Sequence, residues 1–313
     1  MVIQPESGRL FAAFMKLIPA LLLAATLGVT ATAADMSAPE LKRVTYHSNV
    51  TGLDRDYFVY LPRGYAQQKE WPVLLFLHGN GERGNGKDEL DYVLIHGPLF
   101  EAWAQKKDLP FVIISPQLPM FDQGEVPYIK KRTPADIPRR LAEGIHPYPP
   151  HYEGKEPMQG QLSDEKLDYP PEGDSRGWNQ IADEVMGMVD HVLVTYKGDP
   201  KRVYLSGLSY GGFGTWYLAW KHPEKFAAIA PVVGYGGPVM APTLAAAKMP
   251  IWVFAGGRDP VVPVKYFYPL LNKLEELGHP DVRFTIESDM AHPTWVRVYA
   301  SQDLYTWLLS HSK

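Results

Sequence analysis

The chain has 313 residues, with 31 Lys plus Arg against 35 Asp plus Glu and a formal net charge of −4, so no basic excess is available for nucleic acid. Cysteine is absent, which excludes a disulfide scaffold, a thiolate metal site and a cysteine nucleophile. Apolar residues at 45% and charged residues at 21% exclude a disordered chain, a coiled coil and a collagen-like repeat, while 29 prolines, nearly twice the usual share of about 5%, imply a loop-rich part.

The first 34 residues read as a secretory signal. Met15-Lys16 precedes an apolar run from Leu17 to Val29, and Ala31-Thr32-Ala33 follows as a small-residue cleavage site. That run falls short of the roughly 20 residues needed to span a bilayer, so no stable membrane anchor is expected. The expected product is a secreted or periplasmic protein over residues 35–313.

Beyond the leader, strands alternate with helices. Residues 41–46 and 56–61 read as strands, and Val73-Leu74-Leu75-Phe76-Leu77 is a continuous apolar run of the kind buried on both faces. Residues 88–107 read as helical, and 111–115 as another buried strand. Apolar residues at Ile181, Val185, Met188, Val189, Val192 and Leu193 keep the spacing of one helix face, which Gly198, Asp199 and Pro200 end. Strands follow at 203–206, 228–232, 251–255 and 282–286, with helices near 211–221, 265–277 and 299–310. The fold class is α/β, with a mostly parallel central sheet covered by helices on both faces. One stretch breaks the alternation: residues 119–178 hold ten prolines and four tyrosines and little periodicity. A loop that long in a compact domain implies a function, and its position between a strand and a helix suggests a cap or lid over the site.

The strongest chemical signal is Gly207-Leu208-Ser209-Tyr210-Gly211, a G-x-S-x-G pattern lying between a predicted strand and a predicted helix. That context is the setting of a nucleophile elbow, and Ser209 is the candidate nucleophile. A serine hydroxyl needs a base, and the base needs an orienting carboxylate. His292 follows the last strand at its carboxyl end, whereas His222 ends a helix leading away and His279 lies on the wrong edge of the sheet. Asp259 follows the strand 251–255 and is the candidate acid, with Asp289 as its rival. The oxyanion donors are expected from the backbone N–H of Tyr210, directly after the serine, and of Asn80 in His78-Gly79-Asn80-Gly81. Glu82 and Arg83 read as a local salt-linked turn without chemistry. Trp178, Tyr235 and Trp295 lie at predicted sheet ends and are candidates for lining a substrate pocket.

These residues together, with the loop His78-Gly79-Asn80-Gly81-Glu82-Arg83-Gly84 and the stretch from Arg202 to Trp216, resemble the α/β-hydrolase superfamily. The likeness extends to its exported esterase branch, which includes polyhydroxybutyrate-depolymerase-like, feruloyl-esterase-like and predicted-peptidase or phospholipase-carboxylesterase-like proteins. It covers about residues 41–118 and 179–310, and the 119–178 insertion departs from the compact members. The resemblance implies no metal and no cofactor, in keeping with the pairs His146/His151 and Asp174/Asp183, which match no metal spacing. It also implies a secreted serine hydrolase acting on carboxylic esters through an acyl-enzyme. The substrate would be a small-molecule or polysaccharide-linked ester, including aryl or acyl esters of carbohydrates. A serine peptidase of the prolyl-oligopeptidase-like type and a non-catalytic binding protein on the same fold are the alternatives.

Overall fold

The computed structural model describes residues 38–121, 126–142, 157, 167, 169–170 and 173–313. The leader expected over residues 1–34 lies outside these residues, as does much of the 119–178 insertion.

The described residues hold eight strands: β1 (Glu40–Ser48), β2 (Leu53–Leu61), β3 (Trp71–Leu77), β4 (Val112–Ser115), β5 (Gly198–Leu208), β6 (Ala228–Val232), β7 (Ile251–Gly256) and β8 (Val282–Glu287). They form one sheet in the order β1-β2-β4-β3-β5-β6-β7-β8. Every neighbouring pair from β4 to β8 is parallel, and β1 and β2 add an antiparallel edge. The chain therefore has the α/β-hydrolase fold.

The apolar run of β3 explains the layering. Val73, Leu75 and Leu77 point to one face, where Val185, Val189 and Val192 of the helix Ala182–Thr195 cover them. Leu74 and Phe76 point to the other, under Leu304 and Leu308 of the helix Gln302–Leu309. Strand side chains alternate, so a strand buried on both faces has to be apolar throughout. The same parallel arrangement delivers the loops after β3, β5, β7 and β8 to one edge, the carboxyl edge, where such sheets bind ligands.

Three elements differ from the sequence reading. Residues 88–107 are not one helix but a 3-10 turn at Leu90–Leu94, a short helical turn at Gly97–Leu99 and a π-turn at Phe100–Ala104. The break falls at Gly97, whose φ of +82° only glycine adopts readily, followed by Pro98. The last helix divides into Trp295–Ala300 and Gln302–Leu309, because Ser301 caps the second piece by accepting the N–H of Asp303 at 3.1 Å. The helix Ala241–Ala247 was not expected, since its alanine-rich sequence carries no apolar period.

Candidate active site

β5 ends at Leu208, and the helix Tyr210–Lys221 begins two residues later. Ser209 makes the whole turn, with φ 51° and ψ −115°, a conformation that costs an ordinary residue about 1–3 kcal/mol. Its surroundings enforce it. The Ser209 N–H donates to Val232 at 2.9 Å. On either side, a Cβ on Gly207 would meet the Gly211 carbonyl oxygen at 2.3 Å, and one on Gly211 would meet the Leu77 oxygen at 1.8 Å. Only glycine fits both places.

The turn puts Ser209 Oγ 3.1 Å from His292 Nε2, and His292 Nδ1 lies 2.7 Å from Asp259 Oδ2. Asp259 is fully buried, and its second oxygen accepts the N–H groups of Val261 and Val262 at 2.8 and 2.9 Å. The carboxylate is thus fixed from its own loop and can accept only the Nδ1 proton of the imidazole. Nε2 is left as an acceptor for the serine hydroxyl. The rival Asp289 turns away and holds the guanidinium of Arg297 through both oxygens, at 2.6 and 2.7 Å. His279 accepts the N–H of Asp281 at 3.3 Å, away from this chain of bonds.

Asn80 opens the 3-10 turn Asn80–Glu82 directly after β3 and shares a pocket of about 310 Å³ with Ser209 and His292. Tyr210 is the first residue of its helix, so its N–H has no intrahelical acceptor and lies at the positive end of the dipole. The loop that carries Asn80 is braced from below by His78. His78 Nδ1 donates to the Gly79 oxygen at 2.6 Å, and its Nε2 accepts the N–H of Leu118 at 2.9 Å. Burial lowers the pKa of this histidine to about 3, so it stays neutral and keeps both bonds.

Two arginines tie the insertion to this loop. Arg83 donates to the carbonyls of Pro119 and Met120 and to Asn80 Oδ1. Arg132 donates to the carbonyls of Gly81 and Arg83 at 2.7 and 2.8 Å and to Glu89 at 3.1 Å, and it stacks on Tyr92. Beside it, the Tyr128 hydroxyl accepts from Asn80 Nδ2. Tyr128 and Arg132 of the segment 126–142 therefore line the pocket, although nothing in sequence singled out either residue. The expected Glu82–Arg83 turn is corrected: Arg83 reaches across to the insertion, while Glu82 is buried in the pocket wall.

Of the three aromatic candidates, Trp295 alone lines the pocket. Its ring stands edge-on to His292 at 5.1 Å, with His96 at 5.4 Å from it. Trp178 is a correction: at 0% exposure it lies beneath the elbow helix, 5.2 Å from the His78 ring, and cannot touch a substrate. Tyr235 is another. It packs among Phe213, Tyr266 and Tyr169 outside the pocket. Ile95 and His96, from the broken stretch misread as a helix, complete the apolar wall. A wider depression of about 710 Å³ lies among the residues preceding β6 and β7, at the amino edge of the sheet and away from this chemistry. Among the described residues, no three His, Cys, Asp or Glu side chains gather where an ion could be held.

The elbow and its hydrogen-bonded partners sit at the carboxyl edge of an α/β-hydrolase fold, and comparison with known proteins gives likenesses of the same kind. The model of the prolyl oligopeptidase family matches residues 174–243, which carry the elbow. Over 47 residues, 15% of this chain, it is 45% identical to poly(3-hydroxyalkanoate) depolymerase C of Paucimonas lemoignei, spanning 11% of that protein. A thermostable esterase of known structure is similar over 87% of this chain and 63% of its own, at 25% identity and a TM-score of 0.58. A ferulic acid esterase aligns over 87% of this chain and 100% of its own, with a TM-score of 0.53 at 16% identity, a likeness of fold.

Proposed function

We propose that the chain is an exported serine hydrolase that cleaves carboxylic esters. The hydrogen-bonded series Ser209–His292–Asp259 at a strained elbow carries this reading. Ser209 Oγ attacks the ester carbonyl while His292 Nε2 takes its proton, and Asp259 holds the imidazole in the required tautomer. The backbone N–H groups of Asn80 and Tyr210 receive the oxyanion. His292 then protonates the leaving alkoxide, and a water molecule repeats the sequence on the acyl-enzyme. The similarity to a thermostable esterase over most of this chain supports the reaction class. Export rests on the pattern over residues 15–33.

A pocket of about 310 Å³ is at the small end for ligand sites, and Trp295 with His96 gives it an aromatic wall. Both features suit a small aryl or acyl ester, free or carried on a carbohydrate. The match to the prolyl oligopeptidase model favours a second reading, a peptidase using the same three residues. A panel of p-nitrophenyl esters, methyl ferulate, acetylated xylan and proline-containing peptide amides separates them. Ester turnover that disappears in Ser209→Ala is the expected result. Peptide turnover with poor ester turnover makes the protein a peptidase. No turnover, with no labelling by a fluorophosphonate, leaves a binding protein on this fold.

A further inference from the structure

The broken stretch after Leu90 delivers one polar side chain to the pocket that the reaction above does not use. The first turn closes at Ile95, whose N–H donates to the Tyr92 oxygen at 3.2 Å, and a helical turn starts at Gly97. His96 stands between them in extended backbone, with φ −138° and ψ 164°. Its neighbour fixes the place. Gly97 has φ +82°, and a Cβ there would meet Phe76 Cζ of β3 at 2.1 Å, so the chain passes close over the sheet at this point. Held in this way, Ile95 and His96 reach the pocket that contains Ser209 and His292.

The wall on either side of His96 is apolar, made by Ile95 and by Trp295, whose ring lies 5.4 Å from the imidazole. Polar side chains elsewhere in the pocket are engaged. Asn80 donates its amide to Tyr128 and accepts from Arg83, while Arg132 gives its guanidinium to two carbonyls and Glu89. Ser209 and His292 are joined to each other. His96 differs: among the described residues no donor or acceptor meets its ring nitrogens, and neither nitrogen is sealed in the interior. A ligand that covers them with carbon leaves them without the bonds they make to water, and a ligand that offers a hydroxyl replaces those bonds. Burial lowers the pKa of the ring to about 4, so it is neutral wherever His292 acts as a base. A neutral ring suits a neutral hydroxyl better than a carboxylate.

The ring contacts set the reach. His292 and His96 each meet Trp295, at 5.1 and 5.4 Å, and not one another, so His96 stands one indole beyond the catalytic base. We propose that His96 is a specificity-determining residue whose imidazole hydrogen-bonds a hydroxyl at the far end of an aryl acyl group, with the aryl ring along Trp295 and the ester carbonyl at Ser209. This rests on the ester-hydrolase reading and narrows its substrate class to esters of phenolic acids.

The test is kcat/KM for two pairs of esters that differ by one hydroxyl, in wild type and His96→Phe. The pairs are methyl 4-hydroxyphenylacetate with methyl phenylacetate, and methyl 4-hydroxycinnamate with methyl cinnamate. His96→Phe keeps a ring against Trp295 and removes both nitrogens. Wild type is expected to favour the hydroxylated ester by about fivefold or more in at least one pair, the scale of one hydrogen bond. His96→Phe abolishes that preference. Both esters of a pair are measured on one preparation, so a loss of folded protein cancels in the ratio, and a purely structural role for His96 leaves the ratio unchanged. A wild type without preference in either pair overturns the proposal, and so does a His96→Phe protein that keeps the wild-type ratio. Should His96→Phe not fold, His96→Leu, which also lacks a ring nitrogen, is read in the same way. A wild type that hydrolyses p-nitrophenyl acetate but neither pair overturns the proposal alone. One that hydrolyses no ester removes the underlying reading, and the role of His96 with it.

Discussion

His78 accepts the backbone N–H of Leu118 on Nε2 at 2.9 Å, joining the loop after β3 to the segment after β4. That bond exists only while the imidazole is neutral, and burial holds its pKa near 3, against 6.5 for a free histidine. In the unfolded chain the same ring takes a proton as pH falls through 6.5, while the folded protein does not. The unfolded state therefore binds more protons between about pH 6.5 and 3, and stability falls with pH across that window. The slope due to this one group approaches about 1.4 kcal/mol per pH unit in the middle of the window. Melting curves recorded in acid should show this loss, and it should shrink in His78→Gln, which starts from a lower stability at neutral pH.

Asp259 and Asp289 offer a clean contrast within one edge of the sheet. Asp259 fixes the imidazole, while Asp289 holds Arg297. Asp259→Asn should present an N–H or a neutral oxygen to Nδ1 and favour the wrong tautomer, lowering kcat by about 10⁴-fold. Asp289→Asn should leave kcat nearly unchanged. Rates with p-nitrophenyl acetate decide it, and a large loss in Asp289→Asn would make that residue the acid.

Gly211 tests the elbow independently of catalysis. An added methyl group would lie 1.8 Å from the Leu77 oxygen, and backbone on both sides leaves it nowhere to go. Gly211→Ala should destabilise the fold by about 3 kcal/mol or more, at the upper end for overpacking. The midpoint of urea unfolding measures it.

Arg132 joins the insertion to the loop after β3 through the carbonyls of Gly81 and Arg83. Lysine cannot reproduce that forked set of donors. Arg132→Lys should raise KM several-fold and expose residues 126–142 to limited proteolysis, with a smaller change in global melting temperature. Unchanged KM together with unchanged cleavage would show that this segment is held by other contacts.

Position is legible in the sequence where side chains are tied to strand ends. Ser209, Asp259 and His292 each follow an apolar strand of a parallel sheet, so topology alone brings them to one edge. Tyr128 and Arg132 escape it because their stretch has no period, and their contacts are with residues of the loop after β3, 48 to 51 positions earlier in the chain. Glu82 is hidden for another reason: its neighbour Arg83 offers an obvious ion pair, yet the arginine reaches to Pro119 and Met120 instead. Trp178 misleads because a residue next to a sheet end can point inward as easily as outward. Its ring lies against Gly214, where a Cβ would sit 2.5 Å from Cδ1.

That difference between the tryptophans yields the last prediction. Trp178 is enclosed by the elbow helix and His78, whereas Trp295 stands half-buried beside His292 in the pocket wall. Trp178→Ala removes a large core side chain and should cost about 3–5 kcal/mol, lowering the amount of folded protein without altering substrate preference in what remains. Trp295→Ala should do the reverse, with a modest change in melting temperature and a selective rise in KM for methyl ferulate over p-nitrophenyl acetate. Offset or edge-on aromatic contact contributes about 0.5–1.5 kcal/mol beyond area burial, so the expected shift in the KM ratio is several-fold. Equal losses for the aryl and acetyl substrates would mean that Trp295 supports the imidazole and does not select the acyl group. A ratio that moves while kcat for the acetyl ester holds would assign the aromatic wall to specificity.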